Sequence, residues 1–363
     1  MDDTRATDVA PVADDEPREP LADRVFEVGV AAMECLSIHL GDKLGWYREL
    51  AASGPLTPAD LAARTRTQER YAREWCEQQA VAGFLVADET GPDRRFRLDD
   101  EGVAVFTDAA STDFLAPLAR FVTAATVQAP ALLDAYRDGG GVSWDQLGDD
   151  VRAGQADMNR PWFEQVLPGE LAAVPHLHEI LSRPGALVAD VGCGFGWSTI
   201  ALARAYPQAR FVGVDVDAPS VEAARVNALD AGTVNATFET SWQDAPAGPY
   251  DLAFLFECLH DMPHPVDVLT EVRASLADGG RVVVMDEAAD DVYTAPGDQV
   301  QRALYGYSVL CCLPDSLSHV GSVGTGTVMR RGTLARYARQ AGFAVVEDLP
   351  IEDFGFWRFT ELR

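Results

Sequence analysis

The sequence predicts an α/β protein whose carboxyl-terminal half is a mostly parallel sheet and whose amino-terminal part is helical. Seven apolar segments follow one another after residue 185, and most are separated by stretches long enough for a crossover helix. Unbroken apolar strands with helical crossovers are typical of a parallel sheet covered on both faces. The last two segments are joined by a short loop without a helix, so this pair is predicted to be antiparallel. The segments are 186–191, 210–215, 236–240, 250–257, 281–285, 344–349 and 356–359.

Composition and charge disfavour several classes of protein. The 363 residues allow two domains, and the formal charge of −28 would repel a nucleic-acid backbone over most of the surface. No run approaches the roughly 18 apolar residues of a membrane span, and the acidic, Pro-rich segment 1–20 lacks a signal-peptide core. The six cysteines have no C-x-x-C pairing and are typical of free thiols. We expect a cytoplasmic protein with a disordered tail over residues 1–20, and no membrane or nucleic-acid partner.

The strongest local signal is a glycine-rich turn after the first strand segment. The sequence A-D-V-G-C-G-F-G places glycines at 192, 194 and 196, and the following W-S-T-I can begin a helix. Glycine permits positive φ angles and close approach of a ligand, and open α/β sheets bind cofactors at the carboxyl ends of their strands. The next strand ends in Asp215, whose carboxylate can accept hydrogen bonds from both hydroxyls of a ribose. These signals predict an adenosine-type cofactor.

Spacing and charge distinguish between the adenosine cofactors. A dinucleotide fingerprint reads G-x-G-x-x-G with the pyrophosphate at a helix N-terminus, whereas this chain has G-x-G-x-G preceded by Asp190. That acid would repel a pyrophosphate and can attract the sulfonium or ammonium of S-adenosylmethionine. The segment resembles motif I of class I S-adenosylmethionine-dependent methyltransferases. The resemblance implies Asp190, Gly192, Gly194, Gly196 and Asp215 as cofactor-binding residues.

Residues 21–109 carry the pattern of a winged helix. Two short helices are followed by two apolar segments around a polar turn, and these lie at 57–63, 68–82, 84–86 and 96–98, with the turn at 89–93. The second helix carries Arg70 and Arg73 but also three glutamates, so it lacks the positive face that binds DNA phosphates. Small-molecule O-methyltransferases often carry a similar winged helix as a dimerisation domain, and the resemblance implies that role here.

The segment from Leu21 to Leu50 is predicted to be a buried helix. Its apolar residues occur on several faces, more than a helix solvated on one side displays. We expect it to pack against the partner subunit of a homodimer, with packing inside its own domain as the alternative. The apolar positions are Val25, Val28, Val30, Met33, Leu36, Leu40, Leu44 and Trp46.

Residues 110–180 are predicted to form a helical connector that roofs a substrate pocket. Trp144, Trp162 and Phe163 are candidate pocket walls, although aromatic residues at helical spacing also fit a plain core. Glu170 is the candidate base or ligand group of this region, with a solvated helix position as the alternative.

The predicted chemistry lies after the fourth strand segment, in E-C-L-H-D-M-P-H-P at 257–265. Methyl transfer needs alignment of donor and acceptor and, for a hydroxyl acceptor, removal of a proton. C-L-H-D-M resembles the H-D-W segment of winged-helix O-methyltransferases, whose histidine is the general base. The resemblance implies His260 as the base and Asp261 as a supporting residue, with capping of the helix at Pro265 as the alternative for His260. Asp286 and Glu287 end the fifth segment at the same sheet edge and are expected to orient His260.

Further segments resemble a group of actinobacterial methyltransferases with an amino-terminal winged helix, and the resemblance covers nearly the whole chain after residue 20. They are 139–142, 154–161, 257–261 and 324–330. It implies a seven-stranded Rossmann-like sheet with an antiparallel last strand, which binds S-adenosylmethionine within residues 181–363. By the same comparison Ser241, Trp242 and Phe256 are expected to face the adenine.

The residues leave three functions open. The first is O-methylation of a small hydroxylated natural product by a dimer, with His260 as base and no metal. The second is a metal-assisted or carbon-directed methyltransferase, in which His260, His264 and His319 could supply imidazole ligands beside Asp261 or Glu287. The third is a transcriptional regulator that senses the cofactor, which the charge of −28 disfavours.

Overall fold

The computed structural model describes residues 20–88 and 93–363. The predicted tail therefore lies outside the described residues except for Pro20, and the predicted wing turn lies outside them except for Asp93. The described chain has a helical amino-terminal part with a two-stranded hairpin, followed by a seven-stranded sheet flanked by helices. Within these ranges, no helix combines the length and the apolar character needed to cross a bilayer.

The amino-terminal region begins with a long helix, which ends before Gly45 (φ 73°), and continues with short helices and the hairpin. Thr57 caps its third helix by accepting a hydrogen bond from the Asp60 amide. The elements are α1 (Leu21–Lys43), α2 (Trp46–Ser53), α3 (Pro58–Thr65), α4 (Glu69–Val81), β1 (Val86–Ala87), β2 (Phe96–Arg97) and α5 (Asp100–Phe106). β1 and β2 are antiparallel. This is the element order expected of a winged helix, and the dimerisation role stays a prediction.

Helix α1 is not buried within the chain. Six of the eight apolar positions named for it in the sequence are exposed, namely Val25, Val28, Met33, Leu36, Leu40 and Leu44. Trp46 is buried, but it belongs to α2. Packing of the predicted helix inside its own domain is therefore wrong for most of its apolar side chains.

The connector is helical, as predicted, and packs directly on α1. Its elements are α6 (Ala116–Thr126), α7 (Ala129–Asp138), α8 (Trp144–Leu147), α9 (Asp149–Pro161), a π-helical turn (Trp162–Val166), α10 (Leu167–Ala173) and α11 (Pro175–Ser182). Arg120 on α6 joins α1 to α9, because its guanidinium lies 3.0 Å from Asp42 Oδ2 and 2.7 Å from Asp157 Oδ2. The contact crosses the predicted boundary at residue 109, and the boundaries at 109 and 180 stay predictions.

The sheet has the predicted class and direction. Its strands are β3 (Leu187–Val191), β4 (Arg210–Val214), β5 (Ala236–Glu239), β6 (Tyr250–Phe256), β7 (Leu276–Glu287), β8 (Val346–Asp348) and β9 (Trp357–Leu362), in the order β5-β4-β3-β6-β7-β9-β8. The first five are parallel, and β9 pairs antiparallel with both β7 and β8. β7 begins five residues earlier than the predicted 281–285 because Leu276 pairs with Tyr250 across a register shift.

Helices cover both faces of the sheet. They are α12 (Trp197–Ala205), α13 (Ala218–Asp230), α14 (Pro265–Ala274), α15 (Gln299–Tyr307), a second π-helical turn (Ser308–Cys312), α16 (Leu313–Leu317) and α17 (Arg331–Gln340). Alternate residues of β6 enter different cores, Phe254 and Phe256 on one face and Ala253 and Leu255 on the other. All six cysteines are free thiols, as expected.

Candidate active site

A cavity of about 400 Å³ lies at the carboxyl edge of the sheet, beneath the connector. One end is formed by the loops after β3 and β4, and we call it the glycine end (Gly192, Gly194, Asp215 and Asp217). The other is formed by the loop after β6, the end of β7 and the α15–α16 region, and we call it the histidine end (Glu257, His260, Asp261, Glu287 and Asp315). Helices α8 and α9 contribute Trp144, Arg152 and Asn159 to the wall.

Backbone conformation shapes the glycine end. The three glycines of the loop all have positive φ angles, between 51° and 77°. A Cβ at Gly192 would lie 2.7 Å from Cys258 Sγ, whereas a Cβ at Gly194 would have no neighbour within 4 Å. Gly194 therefore leaves room for a ligand, and its amide donates a 2.8 Å hydrogen bond to Asp215 Oδ2.

Asp190 lies beneath the glycine loop and does not line the cavity. It is 1% exposed, and its Oδ2 accepts hydrogen bonds from Ser198 Oγ (2.6 Å) and Thr199 Oγ1 (2.5 Å). Burial raises its pKa to about 6, against the effect of these hydroxyls. The expected contact of Asp190 with a cofactor is therefore not seen in this structure, because its side chain points into the protein. Its hydrogen bonds instead connect the loop to the first turn of α12.

An arginine that the sequence analysis missed closes the glycine end. Arg152 is 4% exposed, and its Nε and Nη2 donate to Asp217 at 2.8 and 2.9 Å. Asp217 also caps α13 by accepting from the Ser220 amide. The pair ties α9 to the loop after β4, next to Asp215. No local motif marks Arg152, because its partner is distant in sequence.

His260 is the central group of the histidine end. It is 1% exposed, its Nδ1 lies 2.8 Å from Asp286 Oδ1 and 3.3 Å from Glu287 Oε2, and its Nε2 lies 3.2 Å from Asp261 Oδ1. Burial opposes the charged ring, but the three carboxylates together raise the pKa of His260 well above its ordinary value. The imidazole is therefore fixed at one nitrogen by Asp286, and its surroundings favour the charged ring.

The carboxylates around His260 do not share one protonation state. Burial raises the pKa of Glu287 well above its ordinary value, although His260 opposes this. The pKa of Asp286 lies below its ordinary value, because His260 and hydrogen bonds outweigh the effect of burial. Asp286 is therefore the counter-ion of the imidazolium, and Glu287 the neighbour that holds a proton more readily.

Glu257 is a second group that the sequence analysis did not single out. It lines the cavity with a φ of 52°, which is uncommon for a residue other than glycine. Its carboxylate accepts a hydrogen bond from Asn159 Nδ2 on α9. Burial raises the pKa of Glu257 to about 7, against the opposing effects of His260 and Asn159. The strained backbone aims a carboxyl group of near-neutral pKa at the cavity.

Comparison with known proteins identifies the carboxyl-terminal part. Residues 168–348 match a family model described as a methyltransferase domain. Trans-aconitate 2-methyltransferase of Azoarcus sp. (strain BH72) is 36% identical over 99 residues, 27% of this chain and 38% of the relative. The chain spans about half or less of the length of the curated relatives it matches.

Two solved structures share the fold over nearly the whole chain. Human N-acetylserotonin methyltransferase in complex with S-adenosylmethionine has a TM-score of 0.72 at 16% identity, covering 97% of this chain and 99% of that one. Mitomycin 7-O-methyltransferase has a TM-score of 0.70 at 22% identity, covering 94% and 97%. This chain carries a class I methyltransferase domain. Its cofactor is S-adenosylmethionine.

The glycine end of the methyltransferase domain fits that cofactor. The space beside Gly194 admits a ligand against the backbone, and Asp215 presents a carboxylate to the cavity for a ribose. Trp197 also lines the cavity, and its Nε1 is buried without a hydrogen-bond partner among the described residues. This donor suits the carboxylate of the methionine moiety.

Several expected site residues lie elsewhere in the methyltransferase domain. Ser241 and Trp242 follow β5 but do not line the cavity, and Trp242 packs on Tyr250 with ring centroids 5.3 Å apart. Phe256 does line the cavity, but on the opposite face of the sheet from Trp242, where it contacts Phe163. The expected adenine wall of these three residues is therefore wrong in this structure, because alternation along β6 turns Phe256 away from Trp242.

Glu170 also lies outside the cavity. It is half-buried on α10, whose inward face is formed by Leu167 and Leu171, both fully buried in the core. The expected role as a pocket base is corrected, because the helical period places the glutamate beside this inward stripe and away from the histidine end.

His260 and His319 both line the cavity, but the three imidazoles expected to share a metal do not form one ligand cluster among the described residues. His264 and His319 are exposed, and neither belongs to a cluster of metal-ligating side chains among residues 20–88 and 93–363. The candidate clusters there contain His260 with Asp261 and Cys312, or His260 with Asp286 and Glu287. The expected set of three histidines is therefore wrong.

Proposed function

We propose that the chain transfers a methyl group from S-adenosylmethionine to a hydroxyl group of a small natural-product metabolite, with His260 as the general base. One observation carries this proposal: a buried imidazole, anchored at Nδ1 by Asp286, shares a cavity with the glycine loop. The solved neighbours named for mitomycin and N-acetylserotonin support a small-molecule acceptor.

The hydrogen bonds of His260 define its part in the reaction. With its Nδ1–H donating to Asp286, the neutral imidazole presents the Nε2 lone pair for a hydroxyl proton. When bound, S-adenosylmethionine would supply an activated methyl group to the acceptor oxygen, with its sulfur as the leaving group. The proton goes to Nε2, where Asp261 Oδ1 at 3.2 Å can then accept a hydrogen bond from the imidazolium.

The surroundings of His260 favour this proton transfer. Its near-complete burial removes water that would compete for the proton or the methyl group. The nearby carboxylates stabilise the imidazolium that forms. Because β7 and the loop after β6 hold them in place, they are already positioned when the proton is transferred. Asp286 is thus a positioning residue, and His260 is the catalytic residue.

The functional unit in this proposal is a homodimer. Phe26, Met33 and Leu40 are 73%, 63% and 45% exposed and recur every seven residues, so they lie along one face of α1. A contiguous apolar stripe is typical of a surface covered by another helix. A second copy of α1 supplies such a surface by symmetry.

The first test separates cofactor binding from catalysis. Calorimetric titration with S-adenosylmethionine should show binding by the wild type and by Asp230→Ala, an exposed control at the end of α13, but loss of binding by Asp215→Ala. Screening of hydroxylated metabolites should then give O-methylated product that His260→Ala does not form. A wild type that binds no cofactor, or an active His260→Ala enzyme, would overturn the proposal.

A further inference from the structure

The lining of the cavity is strongly acidic. Its ionisable groups other than histidine and cysteine are seven carboxylates and one guanidinium: Asp145, Asp215, Asp217, Glu257, Asp261, Glu287, Asp315 and Arg152. Arg152 pairs with Asp217 and Asp145, and His260 lies beside Asp261 and Glu287. S-adenosylmethionine adds one net positive charge at neutral pH, so the acids of the lining still outnumber its positive charges. The acceptor therefore enters a negatively charged site.

Arg152 is not free to bind a negatively charged methyl acceptor. Its Nε and Nη2 are taken by Asp217, its Nη1 lies 3.1 Å from Asp149, and its Nη2 also lies 3.3 Å from Asp145. All three nitrogens are thus engaged by carboxylates. Among residues 20–88 and 93–363, the cavity lining contains no other arginine and no lysine.

The histidine end holds carboxylate oxygens that lack donors. Glu287 is 3% exposed and lines the cavity, but its Oε2 has no hydrogen-bond partner among the described residues, because the nearby Nδ1 of His260 is directed at Asp286. Asp261 Oδ1 is likewise buried, and the donor beside it is His260 Nε2 at 3.2 Å, which carries no proton when the imidazole acts as the base. A buried acceptor without a donor is rare in folded proteins and calls for a ligand that supplies one.

Burial also acts on two other acids of the histidine end. It raises the pKa of Glu257 and of Asp315 to about 7. A cation placed between these groups would favour their ionised forms and would be held by them in return. The imidazole of His260 is already paired with Asp286, and the other histidine of the lining, His319, is exposed.

Aromatic side chains complete the wall. Trp144, Phe163, Phe256 and Tyr307 line the cavity together with the acids. Aromatic faces beside carboxylates are the surroundings that organic ammonium groups prefer, since the rings attract the cation and shield it from water.

We propose that the methyl acceptor is an amine-bearing hydroxyl compound, whose ammonium group is held by the carboxylates of the histidine end while its hydroxyl faces His260. This inference rests on the proposed function and adds the charge class of the substrate. Glu257 is the specificity-determining residue, because Asn159 fixes its carboxylate from the roof and its strained backbone aims it at the cavity.

Three matched probes test the charge class. Tyramine, 4-ethylphenol and 3-(4-hydroxyphenyl)propanoate share a hydroxyphenyl ring and differ in carrying a cation, no charge or an anion. Each is titrated calorimetrically into the full-length protein saturated with S-adenosylhomocysteine, so that binding is measured without turnover. Tyramine should bind at least about tenfold more tightly than 4-ethylphenol, as expected for a desolvated charge pair, and the propanoate should bind most weakly.

Substitutions assign the preference to the acidic end. Glu257→Gln keeps an acceptor for Asn159 and should reduce the tyramine preference several-fold, as should Asp315→Asn, while Glu179→Gln on the exposed face of α11 should leave it unchanged. Equal or tighter binding of either other probe, no binding of tyramine at millimolar concentration, or an unchanged preference in both variants would overturn the inference. A different result would contradict the proposed O-methylation. In that case the protein binds tyramine, but the tyramine oxygen is not methylated when S-adenosylmethionine is supplied.

Discussion

The two ends of the cavity are built in different ways. The glycine end is made by consecutive residues of one strand, turn and helix, and its shape depends on positive φ angles and on backbone amides. The histidine end is assembled from the loop after β6, the end of β7, α9 and the α15–α16 region, and it depends on side-chain charge. The first arrangement suits a cofactor that many enzymes share, and the second can change with the acceptor while the first stays fixed.

The largest effect expected is at the histidine end. His260→Ala should lower kcat by about 10²- to 10⁴-fold, the usual contribution of a general base, and should leave the affinity for S-adenosylmethionine unchanged. Single-turnover methyl transfer and calorimetry on the same preparation measure the two quantities. A variant that loses both would show that the two ends are one structural unit.

At the glycine end, Gly192→Ala is expected to change the affinity for the cofactor. A Cβ there meets Cys258 Sγ at 2.7 Å and requires a positive φ that alanine disfavours. We expect at least about tenfold weaker cofactor binding. Gly185→Ala, also at positive φ but with no neighbour within 4 Å, is the control for backbone strain alone and should bind normally.

The charges at the histidine end should appear in the pH dependence. Because the pKa of His260 is raised, its neutral, proton-accepting form becomes populated only as pH increases through that raised value, so kcat/KM should increase with pH above neutrality. Asp286→Asn keeps an oxygen acceptor for Nδ1 but removes one negative charge, and the rising limb should move to lower pH. An unmoved limb would mean that another group, such as Glu257, controls it.

The proposed subunit contact is expected on the apolar stripe of α1, whose residues do not line the cavity. Met33→Glu places a charge on the apolar stripe of α1 and should convert a dimer into a monomer, whereas Val81→Glu, at an apolar residue 91% exposed on α4, should not. Light scattering after size exclusion gives the mass of each form. A monomeric wild type would contradict the dimer.

The smallest effect expected concerns Glu170. Glu170→Gln should change kcat, KM and cofactor affinity by less than about twofold, since a substitution outside the site usually changes little. A large loss of activity would indicate that Glu170 takes part in the site and would contradict its position outside the cavity.

The sequence by itself determined the sheet, its antiparallel last strand, the glycine loop with Asp215, and the neighbourhood of His260. These features depend on local backbone rules: strand period, glycine at positive φ, and the meeting of parallel strands at one edge. Only the tertiary structure decided which side chains face the cavity. In the structure, Asp190 points into the protein, and Phe256 and Trp242 lie on opposite faces of the sheet. Glu170 lies outside the cavity, whereas Arg152 and Glu257 line it. Those positions depend on packing between residues far apart in sequence, and local sequence patterns do not predict such packing.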